Sequence, residues 1–223
     1  MADKKNNAVR IVLKNVPLNY AKLGEPVLND QTKKYENSVQ VRYDRDDSEI
    51  DELVRSAAKK AFINKFGEDK EKWPTKFKRD KFFETYLSED GQDGFFLRDG
   101  DATGKDDMKG KNFFTVRTSH EEKSKVHRPT CGKRLGGDKW VELKGDRIEE
   151  ELYSGCFADV IADVVAYDNV KKGVSIYLKG VLKTGDGERI GGGEPVNMSE
   201  MFGLTQADPE ELDAGNSDDE LDV

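Results

Sequence analysis

The feature that most constrains the fold is a pair of apolar segments, residues 156–167 (CFADVIADVVAY) and 173–183 (GVSIYLKGVLK). The first carries three Val and one Ile in twelve residues, although its periodicity also fits a helix. Asp168-Asn169-Val170-Lys171-Lys172-Gly173 joins the two, a hairpin-like connection ending in glycine. The β-branched content and the turn together favour two antiparallel strands. A parallel α/β sheet needs a helix between successive strands, and the second half of the chain offers none.

The rest of the chain supplies further strands and one clear helix. Residues 8–20 (AVRIVLKNVPLNY) read as a strand bent near Pro17, and residues 38–43 (SVQVRY) alternate apolar and polar. Between them lies a loop holding Gly24, Pro26 and Asn29-Asp30. Ser48 with Asp51 resembles a capping box, and Ile50, Leu53, Val54, Ala57, Ala58, Ala61 and Phe62 then recur at helical spacing up to Gly67. That helix is expected to cover a sheet or one end of a barrel. Residues 68–88 are basic with interleaved Trp73, Phe77, Phe82, Phe83 and Tyr86, and residues 89–111 are loop-like. Strands are expected at 112–118 and 124–130, a glycine-rich stretch at 132–139, and a short strand at Trp140-Val141-Glu142-Leu143. Gly185, Gly187 and Gly191–Gly193 close the fold. Five to seven strands and one helix predict a mainly β chain, a small antiparallel barrel with polar insertions.

Charge is unevenly distributed. Residues 207–223 (ADPEELDAGNSDDELDV) carry eight acids and no base. The chain has 37 Lys and Arg against 45 Asp and Glu, so removing those eight leaves residues 1–206 with 37 of each. The net −8 therefore sits in the tail, which is too poor in apolar residues to fold alone and is expected to be disordered. The expected organisation is a folded domain over 1–206 and an acidic tail over 207–223. The overall acidity does not argue against nucleic acid, because the body is neutral with basic stretches.

Several chemistries fit poorly. His120, His127, Cys131 and Cys156 are the soft metal ligands, but no C-x-x-C pair occurs and His127 and Cys131 flank Pro129. Gly104-Lys105 lacks the first glycine and the Ser/Thr of a P-loop, with Asp99 and Asp106 in those places. Glu142 and Lys144, with Asp138 nearby, are a faint match to a metal-dependent nuclease or resolvase, and stand as the alternative reading. Two cysteines make no disulfide scaffold, no secretory signal or membrane span is evident, and a reducing cytoplasm is the expected setting. No cofactor or metal is expected.

Nucleic acid fits better. Residues 59–82 and 105–134 each hold nine bases against four acids. In a strand at 112–118, Phe113, Thr115 and Arg117 share a face; in the last strand, Ser175, Tyr177 and Lys179 do. Rings beside Arg and Lys on a sheet face suit unpaired bases and phosphates. The candidate DNA-binding residues are Arg42, Lys76, Lys78, Arg79, Phe113, Arg117, Lys125, Arg128, Lys133, Arg134, Tyr177 and Lys179. A tethered polyanion could compete with DNA for such a surface.

Particular motifs sharpen this. Leu97-Arg98-Asp99-Gly100-Asp101, Tyr153-Ser154-Gly155-Cys156, Tyr167, Lys172-Gly173, Leu178, Gly180-Val181-Leu182-Lys183, Gly187 and Gly191-Gly192 resemble those of a bacteriophage single-stranded DNA-binding protein family. The likeness spans most of 8–195. It implies an OB-fold, no enzymatic activity, and a role coating single-stranded DNA in phage replication, recombination or repair, in the cytoplasm of the infected bacterial host. Implied partners are single-stranded DNA, duplex DNA more weakly, and replication or recombination proteins reached through the tail, with no membrane. The tails of such proteins often end in an aromatic residue, whereas this one ends Leu221-Asp222-Val223. Docking through a terminal ring therefore does not carry over.

Overall fold

The computed structural model describes residues 7–91, 93–169 and 172–190; the Gly191–Gly193 cluster and the acidic tail lie outside them. The two apolar segments at 156–167 and 173–183 form strands β7 (Phe157–Asp168) and β8 (Lys172–Gly185), paired antiparallel from Phe157↔Gly185 to Asp168↔Lys172. Ala158, Val160, Ala162, Val164 and Ala166 are all buried. Their spacing of two is that of a strand with one face in a core, and it settles the helix–strand ambiguity.

Strand β1 (Val9–Asn29) is longer than the sequence suggests, and β2 (Lys34–Asp44) begins earlier. The expected loop between residues 20 and 38 is instead an extended two-stranded arm turning at residues 30–33. Its ladder skips between Lys22 and Val27, so Gly24 and Pro26 fall where no paired N–H is required. A second irregularity separates Leu13 from Val16, where Asn15 adopts positive φ. Strand β3 (Arg98–Asp99) is short, and β4 (Lys111–His120) pairs with both β2 and β3. Residues 124–130 are not the expected strand, since a 3-10 turn occupies Lys123–Lys125. The glycine-rich stretch instead forms a hairpin, β5 (Thr130–Gly136) and β6 (Lys139–Glu142), with Gly136 and Gly137 both at positive φ in the turn.

Strands β1, β2, β4, β8 and β7 close into a five-stranded barrel. Antiparallel pairs join β4 to β2, β2 to β1, β1 to β7 and β7 to β8, and a parallel contact between β4 and β8 completes the ring. The β5–β6 hairpin continues the sheet from β8. Leu13, Leu18, Val39, Val41, Phe114, Val116, Val160 and Leu178 fill the interior.

Helix α1 (Ser48–Phe66) packs against β7, β1 and β8 through Val54, Ala57, Ala58, Ala61 and Phe62. Its cap is Asp47, one residue before the Ser48 suggested by the capping pattern, and the Asp47 side chain accepts from the Ile50 N–H. Gly67 ends the helix at positive φ. The rings of 68–88 do not face outward. Trp73, Phe77, Phe82 and Phe83 are buried around Phe62, with Phe62–Phe77 centroids 4.4 Å apart and Phe62–Trp73 5.1 Å apart. Buried Arg55 binds this annex to the helix, donating to Asp51 at 2.6 Å and to the Phe83 and Tyr86 carbonyls. Two further short helices are α2 (Phe82–Thr85) and α3 (Arg147–Glu151).

Candidate nucleic-acid interface

The seam that closes the barrel also floors a cleft. Arg117 of β4 and Tyr177 of β8 are register partners across the parallel contact, and both side chains point away from the core. Thr115 and Ser175, two residues earlier on each strand, extend the same surface. The β1–β2 arm forms one wall with Lys34 and Glu36, and Asp90, Gly91, Gly94, Phe95, Phe96 and Arg98 form the other. Tyr167 of β7 lines the far end. The enclosed volume is about 610 Å³.

The polar groups in this cleft are unevenly matched. Arg117 lies 3.5 Å from Glu36, whose carboxylate is buried. Arg98 donates to the Glu89 carbonyl at 3.0 Å and lays its guanidinium 4.7 Å from the centre of the Phe113 ring, while its Nε is buried with no hydrogen-bond partner among the described residues. Tyr177 remains 40% exposed, with a free ring. Burial raises the pKa of the Tyr167 hydroxyl, so it is a neutral hydrogen-bonding group at physiological pH. The cleft thus presents two guanidinium groups and two phenols around a shallow polar floor. It can take phosphate oxygens on the cations and a base against Tyr177.

The residues singled out from sequence distribute unevenly about this cleft. Arg117 and Tyr177 meet in it, and Lys179 follows on the outer face of β8, 3.8 Å from Asp163. Phe113 shares the outward face of β4 but is only 3% exposed, flanked in register by Arg98 and Arg42. A base reaches its ring only if Arg98 moves. Arg42 lies over the Tyr20 ring and pairs with Asp107 at 2.7 Å, lining a separate cavity of about 560 Å³ with Lys14 and Lys111. Lys76, Lys78 and Arg79 surround the aromatic annex; Lys78 pairs with Glu71, and Arg79 lies over Tyr86. Lys125 pairs with Glu122, and Arg128 with Glu25 at the arm. Lys133 pairs with Glu151, and Arg134 with Asp159, on the β5–β6 hairpin. Sequence reasoning missed Arg98 and Tyr167 as cleft residues. Alternation along 156–167 places Asp163, Val165 and Tyr167 on one face, so Tyr167 was open to the same face argument that found Tyr177.

The nuclease alternative gathers little support from geometry. Lys144 and Glu142 are exposed and pair with each other at 3.3 Å. Among the described residues no group of three or more His, Cys, Asp or Glu side chains is placed to hold a metal ion. Cys131 and Cys156 are buried apart from the cleft, and burial pushes their thiols up to about 12 and about 11.

A closed five-stranded barrel whose third and fifth strands in chain order, β4 and β8, meet in parallel, with a cationic aromatic cleft on that seam, is an OB-fold-type barrel. Residues 9–213 match the family described as "Enterobacter phage Enc34, ssDNA-binding protein", and the chain belongs to that family. The resemblance drawn from motifs in residues 97–101 and 153–192 therefore holds. One relative is "Putative protein p50" of Acyrthosiphon pisum secondary endosymbiont phage 1, 29% identical over 206 residues, which are 92% of this chain and 98% of the relative. The fold is similar to that of the single-stranded DNA-binding protein from bacteriophage Enc34, with TM-score 0.56 and 20% identity over 90% of this chain and 97% of the other. The same phage protein in complex with ssDNA aligns at TM-score 0.54 and 22% identity, covering 85% and 97% of the two chains.

Proposed function

We propose that this chain is a non-enzymatic single-stranded DNA-binding protein that coats exposed strands during phage DNA replication, recombination or repair in the infected bacterial cytoplasm. The observation that carries this reading is the Arg117–Tyr177 pair on the floor of the cleft, with Arg98 and Tyr167 on its walls. Family membership supports the same ligand. Unpaired bases can stack on Tyr177 while the backbone runs past the two arginines. Paired bases cannot offer their faces, so duplex DNA binds more weakly. Residues 1–206 form the binding domain. The acidic tail, 207–223, occupies the cationic surface when DNA is absent and contacts replication or recombination proteins when DNA displaces it. No helix among the described residues is long and apolar enough to cross a membrane.

The test is incubation of the protein with labelled single-stranded and duplex oligonucleotides, with and without Mg²⁺. Retention of the single strand without cleavage is expected in both conditions. Mg²⁺-dependent cleavage would instead support the Glu142–Lys144 alternative, and no retention of either substrate would remove the nucleic-acid reading.

A further inference from the structure

The outer face of the barrel holds a second aromatic platform away from the cleft. Trp140 on β6 is 52% exposed. Its six-membered ring lies over Gly132 of β5, where an added Cβ would sit 2.7 Å from Cε3, and Leu182 of β8 borders the same spot. Only a glycine at 132 leaves room for the indole to seat itself on the sheet, with the remainder of the ring open to solvent.

Register places this ring on the same face as the cleft floor. Arg134 pairs with Trp140, Gly132 with Leu182, and Leu182 with Asp159, which shares a face of β7 with Asp163, the partner of Tyr177; a register irregularity between Ile161 and Ala162 brings Leu182 to that face. The carboxylates on the intervening surface are each shared by two cations. Asp163 receives Arg10 at 2.8 Å and Lys179 at 3.8 Å; Asp159 receives Lys14 at 2.9 Å and Arg134 at 3.2 Å. Both acids are largely buried, Arg10, Lys14 and Arg134 are exposed and Lys179 is half-buried, so the surface between Tyr177 and Trp140 shows an excess of positive charge. Glu142, at the hairpin's end, is paired with Lys144.

We propose that Trp140 is a second base-stacking residue, and that a single strand leaving the cleft at Tyr177 crosses the outer face of β7 and β8 past Lys179, Lys14 and Arg134 to reach it. Single-stranded DNA fits this surface better than a protein does, because the positive excess is continuous with the proposed cleft and the ring is fixed rather than flexible. The inference rests on the single-strand reading above.

The protein reports on it directly. It has two tryptophans, and Trp73 is buried in the aromatic annex at 6% exposure. Fluorescence of the full chain, quenched by acrylamide, therefore reads mainly Trp140. On titration with oligo(dT) long enough to span both sites, emission should fall and acrylamide access should be lost. The Trp140→Phe variant should lose that signal while still binding labelled DNA by anisotropy. Trp140→Ala should weaken binding of the long oligonucleotide about tenfold, yet leave a short one confined to the cleft unchanged. Normal anisotropy binding with Trp140 still open to acrylamide would overturn the second site while leaving the cleft intact. Absence of any DNA binding would overturn both. Protection of Trp140 without DNA, rising with protein concentration, would assign the ring to self-association instead.

Discussion

Arg117 and Tyr177 face each other across the one parallel contact that closes the barrel. The pair belongs to two strands 60 residues apart in sequence, and the same contact that completes the fold brings a cation and an open ring side by side. Barrel closure and the floor of the cleft are therefore one structural feature.

Removing the Tyr177 side chain should separate binding from stability. Tyr177→Ala should weaken single-strand binding by roughly 1–3 kcal/mol with little change in melting temperature, because the ring packs against nothing in the core. Arg117→Gln should lower affinity and reduce the dependence of log K on log salt by about 0.7, the contribution of one phosphate contact on a single strand. Anisotropy titrations at three salt concentrations, with thermal melts of each variant, check both.

Phe113 should behave in the opposite way. Its ring is packed beneath Arg98, so Phe113→Ala should destabilise the fold, by about 3–5 kcal/mol if the site cannot collapse. Arg98→Ala should spare more of the stability and lower DNA affinity. Urea denaturation beside DNA titration distinguishes the two roles; a Phe113→Ala protein that folds normally but binds poorly would make Phe113 a contact residue.

These contrasts show what the sequence could and could not convey. Their β-branched content and the turn between them made β7 and β8 legible, and Tyr177 was visible because it alternates with Ile176 and Leu178. The rings of 68–88 looked available beside lysines, yet a chain with few aliphatics in that stretch uses its aromatics to build a core around Phe62. Linear charge density also misled. Lys78 and Lys125 sit in basic stretches but pair locally with Glu71 and Glu122, and folding brings Glu25 against Arg128. Residue spacing gives a strand's face and not what covers it, so the cap of Arg98 over Phe113 had no sequence signal.

Stability should fall in acid through an ion cluster around buried Lys183. Lys183 is nearly buried and contacts Glu151 and Asp186, each at 2.7 Å. Burial opposes its charge, and the bonds to Asp186 and Glu151 overcome that and raise its pKa. Hydrogen bonds from Lys133 and Lys183 lower the Glu151 carboxyl, and Lys183 with Tyr153 lowers that of Asp186. The carboxylates' contribution is present above their unfolded pKa of about 4 and is lost as pH falls through the lower folded values. The lysine's contribution is lost only as pH rises through its raised value. Glu151→Gln should destabilise the protein by about 1–3 kcal/mol at neutral pH and flatten the acid limb. Denaturant midpoints between pH 3 and 8 measure this; a variant with an unchanged acid limb would place the titration elsewhere.

Deleting residues 207–223 removes eight negative charges. Single-strand affinity should rise, most at low salt where a tethered polyanion competes best, and the melting temperature should not change. Titration of full-length and truncated protein at two salt concentrations checks it. Equal affinities at low salt would mean the tail does not guard the cleft.

The claim that single-stranded DNA lies on the β4–β8 seam is tested most directly by ultraviolet cross-linking to oligo(dT), followed by peptide mapping of the adduct. The account predicts thymine adducts on Tyr177 or Tyr167, reduced by unlabelled single strands and by Tyr177→Ala. Adducts confined to the Arg42 cavity or the 68–88 annex, with none in 157–185, would contradict it.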